Sequence, residues 1–205
     1  MTNEFSLFVS VNPAKCTGCK ACEMACFQAH NEKRNRVGKT VGTISVPVTP
    51  KLYVTVTETV SLPIQCKHCE NSPCLAVCKQ KAITRVNGTL VIDEVKCGSS
   101  AVVANGDRCI GCKDCLLACP FGAVNLLPYF VGGVQVPQVD GQGGKVAASK
   151  CDLCHEHPKG PACVRNCPNE ALRVTDIDAE RKLKNIAAAE ALAVIGGGTP
   201  ERRAL

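Results

Sequence analysis

The stretch on which the fold depends is Cys109-Ile-Gly-Cys112-Lys-Asp-Cys115-Leu-Leu-Ala-Cys119-Pro120. Its four cysteines are separated by two, two and three residues. At this spacing three thiolates can hold three corners of one 4Fe-4S cluster, while the fourth reaches a neighbouring cluster. The first three must converge, so we expect a tight loop around the small residue Gly111. Pro120 fits the first turn of a short helix, where its missing N–H is not needed. One cluster therefore implies another.

Three further runs of cysteines surround this stretch, which we call run 3. In run 2, which extends from Cys66 to Cys78, four residues separate the second cysteine from the third, against two in run 3. Pro73 stiffens this longer loop. In run 4 a long gap separates the second cysteine from the third. Counting four runs of four gives sixteen of the 17 cysteines, which predicts a double ferredoxin with four 4Fe-4S clusters. The predicted iron ligands are Cys16, Cys19, Cys22 and Cys26 in run 1, Cys66, Cys69, Cys74 and Cys78 in run 2, Cys109, Cys112, Cys115 and Cys119 in run 3, and Cys151, Cys154, Cys163 and Cys167 in run 4.

The seventeenth cysteine, Cys97, stands where a compact ferredoxin would begin its next run, but Gly98–Arg108 intervenes before run 3. We prefer Cys109 as the ligand because it keeps the spacing to Cys112 intact. Cys97 is then most simply a small buried hydrophobic residue. A role in redox chemistry or ligand exchange is the alternative.

Composition supports the metal interpretation of these cysteines. The 205 residues suffice for one large or two small domains, yet aromatic residues make up only 3% of them. Bound clusters would supply the missing core, so folding should depend on iron and sulfide. The alternative, a disulfide framework, needs an oxidising compartment. Met1–Ser6 has no features of a secretory signal, so we expect a cytoplasmic protein whose cysteines bind metal.

The formal net charge of +6 invites a nucleic-acid interpretation, which we reject. A 4Fe-4S centre with four thiolates carries about −2 when oxidised, so four centres bring the net charge to about −2. No aromatic stacking platform accompanies the basic residues. The lysines and arginines are better explained as counter-charge around clusters or as docking charge.

Hydrophobic patterns predict short strands between the runs. Residues 5–11 alternate with period two, and 51–64 alternate similarly, as expected of a hairpin arm. Asn87-Gly88 between 83–86 and 89–93 predicts a hairpin with a type I′ turn. We also expect a helix after Cys26, a short helix and strand over 121–126, and loops over 37–50 and 131–150, the latter a flexible glycine-rich spacer.

The tail favours a helix over Asp178–Ile195, capped by Thr175 or Asp178 and stopped by Gly196. Its apolar half is too short to span a membrane. We expect the tail helix to pack on its own domain; the alternative is that it docks on a partner subunit.

Two local alternatives concern residues near the cysteines. Cys151, Cys154, His155 and His157 could form a zinc site, but the histidines lie too close to the CxxC pair for finger spacing, and Cys163 and Cys167 would be left over. Three residues between ligands could tune redox potentials, although solvated loop positions explain them more simply: Lys67, His68 and Lys113.

The order of the runs, together with the stretches Cys66-Lys-His-Cys69-Glu-Asn-Ser-Pro-Cys74 and Lys150-Cys-Asp-Leu-Cys154 and the final Cys163-Val-Arg-Asn-Cys167-Pro168, carries a resemblance. Residues 5–175 resemble the four-cluster iron-sulfur subunits of formate hydrogenlyase, hydrogen-dependent carbon dioxide reductase and carbon monoxide dehydrogenase systems. They are more distantly similar to electron-transfer subunits of molybdopterin oxidoreductases such as dimethyl sulfoxide reductase. The insertion 98–108 departs from the pattern, and the tail after 176 carries no family motif.

The resemblance implies an α+β fold of two bacterial-ferredoxin-like domains in pseudo-repeat, with hairpins and short helices wrapped around the clusters and a C-terminal helix. The outer domain would comprise 1–50 plus 130–175, the inner domain 51–129, and the helical tail 176–205. The implied ligand pairing is nested: the first three cysteines of run 1 share a cluster with Cys167, those of run 4 with Cys26, those of run 2 with Cys119, and those of run 3 with Cys78. Spacing alone leaves consecutive pairing open.

The sequence contains no nucleotide-binding glycine loop, no pterin or flavin signature and no catalytic triad among its motifs, so we expect a non-catalytic protein. The resemblance implies an electron-transfer subunit fixed between a formate dehydrogenase-type subunit and a hydrogenase or similar redox partner. The alternatives are a freely diffusing polyferredoxin and an electron-transfer subunit of a carbon monoxide dehydrogenase or another molybdopterin oxidoreductase.

Overall fold

A computed structural model describes residues 7–34, 47–92, 112–128, 130–131, 134–135 and 146–195. The expectations for Cys97, Cys109, Gly111 and Gly196 lie outside these residues, as do those for 37–46 and for the 98–108 insertion.

The strands of the described residues pair into two-stranded antiparallel sheets. The pair with the largest sequence separation joins β1 to β10 and brings Val11 opposite Leu172. The other pairs are the hairpin β2–β3, the hairpin β4–β5, the pair β6–β9 and the short pair β7–β8. The strands are β1 (Leu7–Val11), β2 (Tyr53–Val56), β3 (Ser61–Ile64), β4 (Ile83–Val86), β5 (Thr89–Ile92), β6 (Asn125–Pro128), β7 (Phe130–Val131), β8 (Val134–Gln135), β9 (Val146–Ser149) and β10 (Leu172–Asp176).

Helices follow the cysteines closely. Three of them are a single turn or little more, and each holds the third cysteine of its run: α2 (Pro73–Ala76), α3 (Asp114–Ala118) and α4 (Ala162–Arg165). The helix of run 1, α1 (Ala21–Arg34), is longer, and α5 (Ile177–Ile195) forms the tail. α1 packs against α4, and α2 packs against α3. The chain thus has the α+β fold of short hairpins and short helices that the sequence predicts, with a C-terminal helix.

The expected hairpin turn is confirmed. Asn87 and Gly88 connect β4 to β5 with φ of 47° and 77°. Two successive residues at positive φ define a type I′ turn, which asparagine and glycine tolerate better than other residues. The strand over 5–11, the hairpin over 51–64 and the helix after Cys26 are likewise confirmed in their described parts.

Three local expectations are wrong. The spacer over 131–150 contains β9, whose Val146–Ser149 pairs with β6 along its whole length. The short helix of run 3 lies before Cys119 rather than after it, since 120–121 form a turn and 122–124 have no regular secondary structure. The tail helix is capped by Asp176, whose Oδ1 accepts hydrogen bonds from the N–H groups of Asp178 and Ala179 at 2.9 and 3.3 Å.

Six of the thirteen residues in the buried core cluster of the described chain are cysteines. Buried aliphatic side chains such as Val9, Leu52 and Leu90 lie among them, each at most 1% exposed. The cysteines of the same buried cluster are Cys22, Cys26, Cys66, Cys74, Cys151 and Cys163. Because these thiols lie among the buried aliphatic side chains, the interior is built around the predicted ligands.

Candidate iron-sulfur site

The first and last described strands pair beside the first three cysteines of run 1. The β1–β10 pair and the packing of α1 on α4 bring run 1 beside run 4. A pocket open to solvent has Cys16, Cys19, Cys22 and Cys167 among its lining residues. Asn169 donates a hydrogen bond to Thr17 Oγ1 at 2.9 Å and so joins the two cysteine loops at this pocket.

Runs 2, 3 and 4 end in the same backbone unit. The short helix stops, and the fourth cysteine donates its N–H to the carbonyl three residues earlier, at 3.3 to 3.4 Å. The third residue after that cysteine has positive φ: 48° at Lys81, 60° at Gly122 and 49° at Glu170. A buried alanine follows and donates its N–H to the cysteine sulfur, in the pairs Ala82–Cys78 at 3.4 Å, Ala123–Cys119 at 3.4 Å and Ala171–Cys167 at 3.2 Å.

Run 1 is different, because its helix continues through the fourth cysteine. Cys26 lies inside α1 and is 4% exposed. The N–H that bonds its sulfur comes from Lys51, 3.3 Å away and on a separate segment. Burial raises the pKa of the Cys26 thiol well above its usual range, and negative charge on Cys151, Cys154 and Cys163 raises it further. The sulfur of Cys26 is therefore grouped electrostatically with run 4.

A buried charged network joins Cys26 to run 4. Asp152, 8% exposed, accepts hydrogen bonds from His30 Nε2 at 2.9 Å, Lys51 Nζ at 2.7 Å and the N–H of Cys154 at 3.0 Å. His30 Nδ1 contacts the carbonyl oxygen of Cys26 at 2.7 Å. Although burial acts to raise the pKa of Asp152, the hydrogen bond from His30 and the charge of Lys51 hold that pKa far below its usual range. Asp152 thus stays ionised and ties three segments together.

Run 2 has its own clamp around the longer loop. Arg85 on β4 donates to the carbonyl oxygens of Cys69 at 2.5 Å and Gly88 at 2.7 Å, and to Ser72 Oγ at 3.0 Å. Pro73 opens α2 directly after this clamp. The five groups that a guanidinium can donate make arginine suited to holding an irregular loop of carbonyls. Arg85 and Pro73 together fix the extra length between the second and third cysteines.

His68, between the first two cysteines of run 2, is fully buried, so the simpler interpretation of a solvated loop residue is wrong. Its Nδ1 accepts a hydrogen bond from the N–H of Leu90 at 3.0 Å, which places the proton of the neutral ring on Nε2. Burial lowers the pKa of His68 to about 3, and the charge of Lys150 contributes. Within the described part of the chain, Nε2 has no hydrogen-bond partner. A buried N–H facing no protein acceptor suits a site that holds a sulfur-rich group.

The other two candidates for tuning differ. Lys113 is exposed and precedes α3 with φ of 68°. Lys67 is half-buried, and its Nζ lies 5.4 Å from the ring centroid of Phe8 and 3.4 Å from the carbonyl oxygen of Val9.

Runs 2 and 3 approach each other through α2 and α3. Negative charge on Cys66 and Cys119 raises the pKa of Cys74, whose main perturbation is burial. In run 3, Cys112 is exposed, whereas Cys115 and Cys119 are half-buried and pack against the core with Cys78. The described cysteines of runs 2 and 3 therefore share one neighbourhood.

The chemistry of these thiols fits metal ligands better than free cysteines. Burial raises the pKa of Cys22 to about 11 and that of Cys151 to about 12, so neither thiol would ionise unaided at neutral pH. A coordinated metal ion deprotonates a thiol and supplies the missing counter-charge. Buried thiols with N–H donors directed at their sulfurs fit 4Fe-4S clusters, whose potentials depend on such hydrogen bonds.

The zinc alternative gains little support. His157 Nδ1 accepts a hydrogen bond from the N–H of Lys159 at 3.2 Å, and His155 Nδ1 lies 4.0 Å from Asp152 Oδ2. The ligand atoms that do converge belong to His30, Asp152 and Cys154, and the carboxylate is already paired with Lys51.

Comparison with known proteins agrees with this chemistry. Residues 101–181 match the model of a 4Fe-4S dicluster domain, and residues 9–28 match a 4Fe-4S binding domain. Hydrogenase-4 component A of Escherichia coli (strain K12) is 36% identical over 200 residues, covering 86% of each chain. Electron transport protein HydN of the same strain is 33% identical over 88% of this chain and 93% of its own. Formate hydrogenlyase subunit 2 is 34% identical over 82% of this chain and 81% of its own.

The chain belongs to the 4Fe-4S ferredoxin-type electron-transport proteins. A longer relative, described as a putative oxidoreductase, shares 35% identity, and the chain spans 22% of its length. No described helix of this electron-transport protein is long and apolar enough to cross a membrane.

Sequence reasoning missed most of what surrounds the ligands in this electron-transport protein. The alanine four residues after the fourth cysteine recurs in runs 2, 3 and 4, and that repeat could have been read from the sequence. Lys51, Arg85 and Asp152 carry no such pattern, because their partners lie far away along the chain.

Proposed function

We propose that this chain passes single electrons through four 4Fe-4S clusters held by sixteen cysteines in nested sets. Each set takes three ligands from one run and one from its partner run. The sets are Cys16, Cys19, Cys22 and Cys167; Cys151, Cys154, Cys163 and Cys26; Cys66, Cys69, Cys74 and Cys119; and Cys109, Cys112, Cys115 and Cys78. The outer unit comprises 1–50 and 130–175, and the inner unit 51–129.

The observation that carries this proposal is the pocket shared by Cys16, Cys19, Cys22 and Cys167, which gathers one complete set from opposite ends of the chain. Further support comes from the effect of negative charge at Cys151, Cys154 and Cys163 on the pKa of Cys26. Consecutive pairing would need run 1 beside run 2 and run 3 beside run 4, whereas α1 packs on α4 and α2 on α3.

In this proposal the protein performs no bond chemistry itself. A 4Fe-4S cluster takes up or releases one electron at a time. The chain's own residues hold the clusters, exclude water from them and set their potentials through N–H groups directed at sulfur and through nearby charge. The buried alanines after runs 2, 3 and 4 and the Lys51 N–H at Cys26 are such donors.

We infer that the partners are a formate dehydrogenase-type subunit at one end and a hydrogenase or similar redox protein at the other, in a cytoplasmic complex. The names of two relatives, hydrogenase-4 component A and formate hydrogenlyase subunit 2, support this inference. α5 is a candidate docking element for such a subunit, because none of its residues is buried and it includes Leu183, Leu192 and Ile195, each at least 63% exposed.

Native mass spectrometry of the protein purified without oxygen from its own host tests the proposal. We expect about sixteen irons per chain, from four 4Fe-4S centres, together with attached redox subunits. Fewer irons would contradict the four-cluster assignment. The full iron content on an isolated chain would favour a freely diffusing polyferredoxin instead.

The docking element is tested separately by ending the chain after Asp176, which leaves β10 intact. The iron content should stay unchanged while the partner subunits are lost. The paired variant L183E/L192E keeps the helix and should also release them. Unchanged co-purification of the partners with both variants would exclude α5 as the docking element.

A further inference from the structure

Lys150 is a buried cation at the junction of the inner and outer parts of the molecule. It directly precedes Cys151 and is 2% exposed. Its Nζ donates hydrogen bonds to two carbonyl oxygens, those of Leu90 and Cys151. Among the described residues it has no carboxylate partner, since the neighbouring Asp152 is paired with Lys51. An ammonium group removed from water without a counter-charge is strongly unfavourable, so a negative charge should lie nearby in the functional protein.

A chain of hydrogen bonds connects Lys150 to run 2. The carbonyl oxygen of Leu90 accepts from Lys150, and the N–H of Leu90 donates to His68 Nδ1 at 3.0 Å. The N–H of His68 in turn donates to Cys66 Sγ at 3.4 Å. Lys150 therefore stands between a ligand of run 4, to which it is covalently adjacent, and a ligand of run 2, three hydrogen bonds away.

The charge of Lys150 acts on thiols of both runs. Burial is the main cause of the raised pKa of Cys151 and of Cys74, and Lys150 acts in the opposite direction on both. Lys67 is a second cation in this region. Burial lowers the pKa of Lys67, while negative charge on Cys151 and Cys66 opposes that change. Lys67 is more exposed than Lys150, so solvent screens its charge more strongly.

We propose that Lys150 is an internal counter-charge shared by two 4Fe-4S clusters, the one held by Cys151, Cys154 and Cys163 and the one held by Cys66, Cys69 and Cys74. The proposal rests on the proposed function and on its ligand sets. Addition of one electron makes a cluster more negative, and a fixed nearby cation stabilises that form. Lys150 thus raises both midpoint potentials, which keeps the two carriers matched where an electron crosses between the outer and inner units.

Lys67 adds to the same field with a smaller effect. The two lysines approach Cys66 and Cys151 from different segments, one inside the CxxC loop of run 2 and one directly before the CxxC loop of run 4. This arrangement predicts a ranking in which loss of the Lys150 charge shifts the two potentials further than loss of the Lys67 charge.

The test is a potentiometric titration of the full chain, purified without oxygen and followed by electron paramagnetic resonance, with iron content measured on each sample. K150Q removes the charge and keeps hydrogen-bonding capacity. K67Q is the milder variant, and K182Q, on the exposed surface of α5, is the control. C69S and C154S identify the signals of the two clusters, because a serine ligand perturbs only the cluster it binds.

We expect K150Q to shift the two identified midpoint potentials to lower values and leave the other two unchanged. K67Q should shift the same two by a smaller amount, and K182Q none. A purely structural role for Lys150 would reduce iron content without this selective pair of shifts. Unchanged potentials in fully loaded K150Q would overturn the proposal, and if K150Q does not load iron, unchanged potentials in K67Q would overturn it. Fewer than about sixteen irons in the parent protein would instead contradict the four-cluster assignment.

Discussion

The fourth cysteines of run 1 and run 4 each accept a backbone N–H at sulfur, but the two donors are positioned in different ways. Cys167 receives an N–H from Ala171, four residues on, through a turn fixed by Glu170 at positive φ. Cys26 lies inside a helix and receives its N–H from Lys51, 25 residues on. The first environment forms wherever the local turn forms. The N–H of Lys51 reaches Cys26 only after two distant segments have packed, so the environment of Cys26 depends on the contacts that hold those segments together.

Those contacts converge on one carboxylate. Asp152 bonds Lys51 and also His30, and His30 bonds the carbonyl oxygen of Cys26. Runs 2, 3 and 4 have no need of a comparable network at the fourth cysteine, because the buried alanine follows directly in sequence. The comparison therefore predicts that run 1 is sensitive to a single distant substitution, whereas the other runs are sensitive to changes within their turns.

Asp152→Ala should have the largest effect. Removing the carboxylate leaves Lys51 and His30, whose side chains are 11% and 14% exposed, without their partner. Breaking a buried charge pair in this way typically destabilises a protein by about 3 to 5 kcal/mol. The midpoint of anaerobic guanidinium denaturation should fall, and Cys26 should become reactive toward a thiol reagent before Cys167 does, since only the N–H donor of Cys26 lies on a segment that Asp152 holds in place.

Glu180→Ala provides the control for Asp152→Ala. Its carboxylate pairs with Arg173 Nη2 at 2.9 Å on the surface, where Arg173 is 67% exposed. A surface pair of this kind contributes about 0 to 1 kcal/mol. Equal losses in the two variants would show that Asp152 does not hold the Cys26 environment together.

Arg85→Met should come next in size and act on run 2 alone. It removes charge-assisted hydrogen bonds to the carbonyl oxygens of Cys69 and Gly88 and to Ser72, and each such bond contributes roughly 1.5 to 3 kcal/mol, not additively. We expect selective loss of the iron held by Cys69 and its neighbours to a ferrous chelator. Arg165→Met, which alters an exposed arginine on the short helix of run 4, is the control. Iron loss spread over all runs would contradict a local clamp.

The sequence predicts local structure well where the cause is local. Cysteine spacing indicates the ligands, and Asn87-Gly88 predicts the hairpin turn because the two residues tolerate its dihedral angles. β9 escaped prediction, because its pairing with β6 depends on a partner strand and not on its own glycine-rich surroundings. The network around Asp152 escaped for the same reason, since no pattern within a short stretch reports a contact over 122 residues.

Substitution of the buried alanines should have a moderate effect. Ala171 is 4% exposed, and overpacking a buried position typically costs about 1 to 3 kcal/mol. Ala171→Val should also displace the N–H from Cys167, which lowers the midpoint potential of the cluster that this cysteine is proposed to ligate. Ala179→Val, on exposed α5, should change neither quantity. A destabilised Ala171→Val protein with unchanged potentials would separate packing from hydrogen bonding at this site.

The smallest expected effect concerns the positive-φ residue of the shared turn. Glycine fills it only in run 3, as Gly122, where an added Cβ would meet no described atom within 4 Å. Gly122→Ala therefore tests backbone strain without a steric clash and should destabilise the protein by roughly 1 kcal/mol. Glu170 has the same conformation with a side chain, at φ of 49°.

Glu170→Gly should relieve that strain and gain less than about 1 kcal/mol, because glycine also increases the entropy of the unfolded chain. The measurement is the shift in denaturation midpoint, upward for Glu170→Gly and downward for Gly122→Ala. Shifts in the same direction would mean that the turns of runs 3 and 4 are not equivalent. Opposite shifts would show that the turn conformation itself, and not the residue that occupies it, delivers the N–H to the fourth cysteine in runs 3 and 4. In run 1 this local turn is replaced by the packing of Lys51 against Cys26.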